Sequence, residues 1–156
     1  MIKVTWPDQT LRQEITALEA WDGKGAVRLI NSDPEEGVLL LERLDNARSL
    51  EDIEIEEAVP LAGKLLRRLA IPAPECLPTM DRHIEKMTAD MVERWNVLDK
   101  PFPEQLLTMA QETGRRLASD ADRLLVDHDL HYGNVLAGTR EPWLVIDQKP
   151  FVGDPA

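Results

Sequence analysis

The chain has 156 residues, room for about one domain of ordinary size, and its 43% hydrophobic content is enough to build a core. Eighteen Lys and Arg against 29 Asp and Glu give a formal net charge of −11, which disfavours binding to nucleic acid or to an anionic membrane and mildly favours a cationic small partner. The single cysteine, Cys76, excludes an internal disulfide, and the lack of a signal-peptide composition or a membrane-length apolar run predicts a cytoplasmic protein.

The first part of the sequence predicts a strand, a helix and a hairpin. Residues 1–5 are typical of the end of a strand, and a strand of that size needs neighbours, so we expect the fold to begin upstream. Apolar residues recur at helical spacing over residues 8–20, after a capping residue at Asp8 and before a stop at Gly23. Two β-branched, apolar runs within residues 26–44 are separated by turn-forming residues, which predicts a β-hairpin.

The middle of the sequence predicts three helices. Apolar residues recur three and four positions apart over residues 52–70, 79–98 and 103–119, within otherwise charged sequence. Pro60 is expected to kink or restart the first of these helices. Residues 71–74, Ile-Pro-Ala-Pro, are predicted to form a stiff connector, because each proline disfavours helical conformation in the residue before it.

The last part predicts short strands around a polar loop. Strand-forming runs occupy residues 123–126, 134–137 and 143–146, with a turn at residues 138–142 between the last two. The order of elements is therefore strand, helix, hairpin, helices and small strands. This order predicts an α+β fold with a small mixed part followed by a helical part.

The polar loop carries the residues that point to chemistry, and two interpretations compete for it. The side chains of Asp127, His128, Asp129 and His131 are suitable metal ligands. A structural zinc site usually takes four His or Cys ligands with a separated second pair, and His83 and Cys76 are the remaining candidates. The zinc interpretation is therefore the weaker one. Its competitor is phosphoryl transfer.

Phosphoryl transfer accounts for more of the residues. In kinases an Asp orients the attacking hydroxyl, and an Asn five residues later holds magnesium. Asp129 and Asn134 have that spacing. A further carboxylate is needed on the other side of the phosphates, at the end of the following strand, and Asp147 occupies that place.

Two separated blocks of this sequence resemble a known family. HDLHYGNVL, followed by IDQKPFVGDPA, is similar to the aminoglycoside phosphotransferases, most closely their streptomycin and hydroxyurea kinase branch, whose fold is like that of protein kinases. VTWPDQTLRQEITALEAWDGKGAVRLI resembles the segment that follows the ATP-binding lysine, and LLLERL resembles the hinge. The likeness extends along nearly the whole chain.

The resemblance implies cofactors and roles for individual residues. ATP and Mg²⁺ are the implied cofactors, with Asp129 as the catalytic residue and Asn134 and Asp147 as the magnesium ligands. Lys3 would bind the nucleotide phosphates with Glu14 as its partner. The resemblance assigns the adenine contacts to backbone groups of Glu42 and Leu44.

The resemblance also implies an architecture and a function. The expected fold is a protein-kinase-like, two-lobed α+β fold, with a partial N-terminal lobe and hinge in residues 1–45 and a partial helical lobe, bearing the catalytic and metal-binding loops, in residues 46–156. Both lobes are expected to be incomplete, because the family's glycine-rich loop precedes the lysine strand and its helical lobe continues beyond the metal-binding aspartate. The implied activity is ATP-dependent phosphorylation of a hydroxyl of a streptomycin-like aminoglycoside, which confers resistance. The alternative is a noncatalytic remnant of such a kinase, and an unpaired sheet edge is expected to favour self-association.

The sequence departs from the family pattern at two positions near the loop. Asp127 replaces a histidine that braces the loop from the core side, so we expect its carboxylate to be poorly satisfied. Gln148 stands where this branch commonly has proline. Trp21, Trp95 and Trp143 are interpreted as packing residues and not as substrate-stacking residues.

Overall fold

The fold combines helices with small antiparallel sheets, in a computed structural model that describes residues 1–119 and 123–154. Within these ranges the helices are α1 (Gln9–Trp21), α2 (Ile55–Leu69), α3 (Met80–Val97) and α4 (Glu104–Ser119). The strands in the same ranges are β1 (Ile2–Val4), β2 (Leu29–Asp33), β3 (Val38–Leu41), β4 (Asp45–Ser49), β5 (Ile71–Pro72), β6 (Leu124–Asp127), β7 (Val135–Ala137), β8 (Trp143–Val145) and β9 (Pro150–Gly153). The mixed α and β class predicted from the sequence is confirmed.

The strands form three small sheets, with orders β1-β3-β2, β4-β7-β8 and β5-β6-β9. β2 and β3 are the predicted hairpin, and β1 pairs antiparallel with β3, with Lys3 opposite Leu39. The other two sheets hold the two ends of the polar loop, because β6 precedes the loop and β7 follows it. Each end of the loop is thus fixed by pairing with a strand that is distant in sequence.

Local sequence signals correctly predicted where α1 begins and ends. Asp8 is the N-cap, and its side chain accepts a hydrogen bond from the backbone N–H of Leu11 at 3.0 Å. The helix ends at Asp22, which has a left-handed φ of 49°, and Gly23 follows with φ 72°. The predicted cap and stop are both confirmed.

Two expectations about prolines need partial correction. α2 runs through Pro60 without a break, so the predicted restart is wrong. Pro60 lies in the second turn, where its missing N–H removes one backbone hydrogen bond while Leu65 and Leu69 anchor the rest of the helix in the core. The predicted connector at residues 71–74 is also partly wrong, because Ile71 and Pro72 pair with β6 as the edge strand β5.

The core consists of two apolar clusters that share α1. The smaller cluster lies between α1 and the first sheet and contains Leu11, Leu18, Val27, Leu39 and Leu41. The larger cluster joins α1 to α2 and to the two sheets that hold the loop, and Trp21, Leu69 and Leu125 are among its members. Because one helix packs into both clusters, its position is fixed relative to the first sheet and to the polar loop.

β1 is an edge strand of the first sheet, and the side chains of Ile2 and Val4 are exposed. Self-association through this edge stays a prediction, as does the division of the chain into lobes at residue 45. Among the described helices, none combines the length and apolar character of a membrane span.

Candidate active site

Three predicted site residues meet between β1, α1 and the turn after β8. The Lys3 ammonium donates hydrogen bonds to both carboxylate oxygens of Glu14, at 2.7 and 2.9 Å. It also donates to Oδ1 of Asp147 at 2.7 Å, across 144 positions of sequence. Glu14 is buried, whereas the Asp147 side chain is 58% exposed. One ammonium therefore bridges a buried carboxylate and an accessible one.

Lys3 is charged in this setting. Burial is the largest influence on its pKa and acts to lower it, but the hydrogen bonds to Asp147 and Glu14 outweigh burial and raise the pKa. For Glu14 the balance is reversed, because burial raises the pKa of this carboxyl more than Lys3 lowers it. The Lys3 ammonium is thus a fixed positive charge beside the exposed carboxylate of Asp147.

The predicted catalytic residue lies on the loop after β6. The Asp129 carboxylate forms an ion pair with the ammonium of Lys149, and this hydrogen bond is the largest cause of a lowered Asp129 pKa. The carboxylate is therefore ionised at neutral pH and able to accept a hydrogen bond from a hydroxyl.

Hydrogen bonds connect this carboxylate's loop to the predicted metal ligands. The side-chain amide of Asn134 donates to the backbone carbonyl of Asp129 at 3.2 Å. The backbone carbonyl of Asn134 in turn accepts from the N–H of Ile146 at 2.8 Å, next to Asp147. The tertiary structure thus brings the Asp129–Asn134 loop alongside the strand end that carries Asp147.

The donor set at Asn134 and Asp147 fits magnesium. The Asn134 amide nitrogen is bound to Asp129, which leaves the amide oxygen for another partner, and Asp147 offers a carboxylate on an exposed turn. Amide and carboxylate oxygens are the ligands that Mg²⁺ prefers. Asp147 has φ 53°, a left-handed conformation that Asp and Asn tolerate better than most residues.

The zinc interpretation receives no support from the described part of the chain. No group of three or more His, Cys, Asp or Glu side chains within it is placed to share a metal ion. The His83 and His128 rings instead pack edge to face, with centroids 5.0 Å apart, and both contact the Phe151 ring. These two histidines pack as an aromatic cluster.

Asp127 supports the loop from the core side, at one of the positions where the sequence departs from the family pattern. Its Oδ1 accepts hydrogen bonds from the backbone N–H groups of Asp129 at 3.2 Å and Lys149 at 3.0 Å. Its Oδ2 is buried and has no hydrogen-bond partner among the described residues. The prediction that this carboxylate would be poorly satisfied is therefore confirmed for this oxygen. Burial raises the pKa of this carboxyl. The buried Gln148 donates to the carbonyl of Val145 at 2.6 Å.

Replacing Asp127 by Asn is expected to stabilise the fold at neutral pH by roughly 1 kcal/mol, because the variant buries no charge and keeps the Oδ1 acceptor. Because the pKa of Asp127 is raised in the folded state, folding favours its protonated form. This contribution to stability is fully present below the unfolded carboxyl pKa of about 3.9 and is lost as the pH rises through the folded pKa. The stability gained by the Asp127→Asn variant should therefore shrink as the pH falls. Urea unfolding of both proteins between mildly acidic and neutral pH measures it, with Asp90→Asn on the exposed side of α3 as the control. A gain that does not change with pH would contradict the assignment.

The predicted hinge residues lie between β3 and β4. The backbone N–H of Glu42 donates to the carbonyl of Arg28 at 2.9 Å, so its carbonyl is the group left for a ligand. Its carboxylate is held at both oxygens by Arg140, at 2.8 and 3.1 Å, and Leu44 packs against the smaller cluster. Local sequence patterns did not identify Arg140, because it lies 98 positions from its partner.

A cavity of about 640 Å³ opens beside the catalytic loop. Gln9, Gln13 and Arg82 line it from the N-terminal turns of α1 and α3, and Lys149 lines it from the loop side. No Asp or Glu is among the described residues that line it. Cavities of roughly 300–1,000 Å³ are typical of small-molecule sites.

Comparison with known proteins adds to this geometry. The chain matches the family described as aminoglycoside/hydroxyurea antibiotic resistance kinase over residues 1–156. It is 39% identical over 157 residues to a streptomycin 6-kinase of Streptomyces glaucescens and 38% identical over 156 residues to one of Streptomyces griseus, covering 99% of this chain and 51% of each relative. It is also 39% identical over 158 residues to a hydroxyurea phosphotransferase of Kitasatospora aureofaciens, covering 99% of this chain and 46% of that protein. The chain thus spans about half the length of the curated relatives it matches, and no solved structure matches it.

Proposed function

The chain belongs to the family of aminoglycoside/hydroxyurea antibiotic resistance kinases, and on that premise we propose that it transfers a phosphoryl group from ATP to a hydroxyl of a streptomycin-like aminoglycoside. The observation that carries the proposal is the contact of Lys3 with both Glu14 and Asp147. A lysine paired with a helix glutamate, beside a metal-binding aspartate, is the arrangement that kinases use to hold nucleotide phosphates. Inactivation of the antibiotic in this way would confer resistance.

Each site residue has a distinct role in this proposal. Lys3, braced by Glu14, binds the nucleotide phosphates, and the Glu42 carbonyl and the Leu44 N–H bind adenine. Asn134 and Asp147 hold Mg²⁺, which neutralises charge on the phosphate oxygens when bound. Asp129 orients the acceptor hydroxyl and accepts its proton.

The distribution of the core clusters supports a two-lobed, kinase-like arrangement. The first sheet and most of the smaller cluster come from residues 1–45, and α2, α3, α4 and the loop come from residues 46–156. The nucleotide would lie between these parts, where Lys3 from the first meets Asp147 from the second. A cationic acceptor would approach the Asp129 and Asp147 carboxylates, which are accessible at the site.

The test is a transfer assay on the purified chain. With ATP and Mg²⁺, we expect release of ADP that depends on streptomycin, and a phosphorylated antibiotic detectable by mass spectrometry. Hydroxyurea as a second acceptor distinguishes the two substrates named among the relatives. Binding of Mg-ATP without transfer to either acceptor would favour the noncatalytic alternative.

Replacing Asp147 by Asn is expected to weaken Mg-ATP binding by at least about tenfold, because one of the two proposed metal ligands loses its charge. Asn is chosen because it tolerates the left-handed backbone at this position. Isothermal titration calorimetry with Mg-ATP measures the change, and Asp90→Asn is the matched control on the exposed side of α3. Unchanged affinity in a folded Asp147→Asn protein would remove Asp147 from the metal site.

A further inference from the structure

The backbone of Lys149 is attached to the catalytic loop on both sides. The N–H of Lys149 donates to Oδ1 of Asp127 at 3.0 Å, and its carbonyl accepts from the N–H of His128 at 3.0 Å. The next residue, Pro150, pairs with Asp127 at the start of β9. The position of Lys149 relative to the loop is therefore fixed by its backbone, and its side chain alone can move.

The side chain of Lys149 reaches the catalytic carboxylate. Its ammonium forms an ion pair with Oδ2 of Asp129, and the charge of Asp147 also acts on it. The side chain is 55% exposed and lines the cavity that Arg82 also lines. An exposed ammonium thus contacts the proposed catalytic carboxylate and is influenced by the charge of Asp147.

The ion pair occupies Oδ2 of Asp129 and weakens the carboxylate as a proton acceptor, because the ammonium stabilises its charged form. Transfer of the hydroxyl proton to Asp129 is therefore favoured when the ammonium has another partner. The reaction itself brings negatively charged phosphoryl oxygens to this place, and an ammonium there stabilises the charge that they carry in the transition state.

We propose that Lys149 is a further catalytic residue, which leaves Asp129 and binds the γ-phosphoryl oxygens of bound ATP before and during transfer; the inference rests on the proposed function. The acceptor oxygen forms a bond to the γ-phosphorus as the bond from that phosphorus to the β–γ bridging oxygen breaks. ADP leaves with the electron pair of that bond, and the hydroxyl proton passes to Asp129. Lys149 keeps its own proton and contributes charge alone.

The test compares two nucleotides that differ in the γ-phosphate. Affinities for Mg-ADP and for a nonhydrolysable Mg-ATP analogue are measured calorimetrically for the unaltered chain, Lys149→Met and Lys149→Arg. Lys64→Met, on the exposed face of α2, is the matched control. In Lys149→Met we expect affinity for the ATP analogue to fall by about tenfold or more while affinity for ADP stays constant, and we expect Lys149→Arg to restore part of the loss.

Turnover gives a second readout. In Lys149→Met the kcat should fall by about 10²-fold or more, while the KM for the acceptor stays within about twofold. A kcat loss with no change in the ratio of the two nucleotide affinities would overturn the phosphoryl contact and assign Lys149 to positioning Asp129. If Lys149→Met does not fold, Lys149→Gln replaces it, and an unchanged ratio in that variant would also overturn the proposal.

The nucleotide affinity measurements distinguish this inference from the proposed function. If the unaltered chain binds both nucleotides but transfers nothing, the proposed function fails, and the affinity ratio still decides whether Lys149 contacts the γ-phosphate. If the unaltered chain binds neither nucleotide, both proposals are overturned.

Discussion

Phosphoryl transfer by the Asp129→Asn variant is expected to be slower by a factor of about 10²–10⁴, the range over which a positioned general base contributes to a reaction. The amide has nearly the shape of the carboxylate but cannot accept the hydroxyl proton. The backbone contacts of this residue, its carbonyl with Asn134 and its N–H with Asp127, do not involve the altered group. The fold should therefore persist while turnover is lost.

The measurement is kcat with ATP, Mg²⁺ and streptomycin, alongside thermal unfolding of the same preparation. Asp90→Asn serves as the control, because it makes the same chemical change at an exposed position of α3, outside the loop. Mg-ATP affinity should not fall in Asp129→Asn, which distinguishes loss of the base from loss of the nucleotide site. Near-normal turnover by a folded Asp129→Asn protein would exclude Asp129 as the catalytic residue.

Replacing Trp21 by Ala is expected to cost about 3–5 kcal/mol of unfolding free energy, a large part of the roughly 5–15 kcal/mol that a domain has. The Trp21 side chain is 1% exposed and lies in the larger apolar cluster. Its indole N–H also donates to the carbonyl of Leu69 at 2.8 Å, where α2 ends. The substitution would leave a cavity and a carbonyl without its donor, and it would loosen the helix that carries Glu14.

Urea unfolding measures the loss of unfolding free energy. One further variant helps to separate its causes, and another serves as the control. Trp21→Phe keeps most of the volume but removes the hydrogen bond, so its smaller cost reports that bond. Trp6→Ala is the matched control, because this tryptophan is 83% exposed and its removal should change stability by less than about 0.5 kcal/mol. Equal costs for Trp6→Ala and Trp21→Ala would show that the burial of Trp21 does not stabilise the fold.

Elements with strong local signals could be predicted from the sequence. The cap at Asp8 and the apolar spacing after it predict α1 to within about a residue, because helix hydrogen bonds join residues four apart. The hairpin of β2 and β3 has the same local origin. The spacing of Asp129 and Asn134 likewise lies within one loop, so the sequence alone contains it.

Elements that depend on distant pairing could not be predicted in this way. β4 has a polar sequence with no apolar alternation, and it is a strand because it pairs with β7, about 90 positions away. β9 was missed for the same reason, since it is defined by its pairing with β6.

For the site, the sequence by itself determined which chemical groups are present: the carboxylates and amide of the loop and the lysine of the first strand. The tertiary structure decided their neighbours. The ion pair of Lys149 with Asp129, the arginine that holds Glu42, and the contact of Lys3 with Asp147 join residues 20, 98 and 144 positions apart. No local pattern encodes such contacts, because they form only when strand pairing and core packing bring distant backbone segments together.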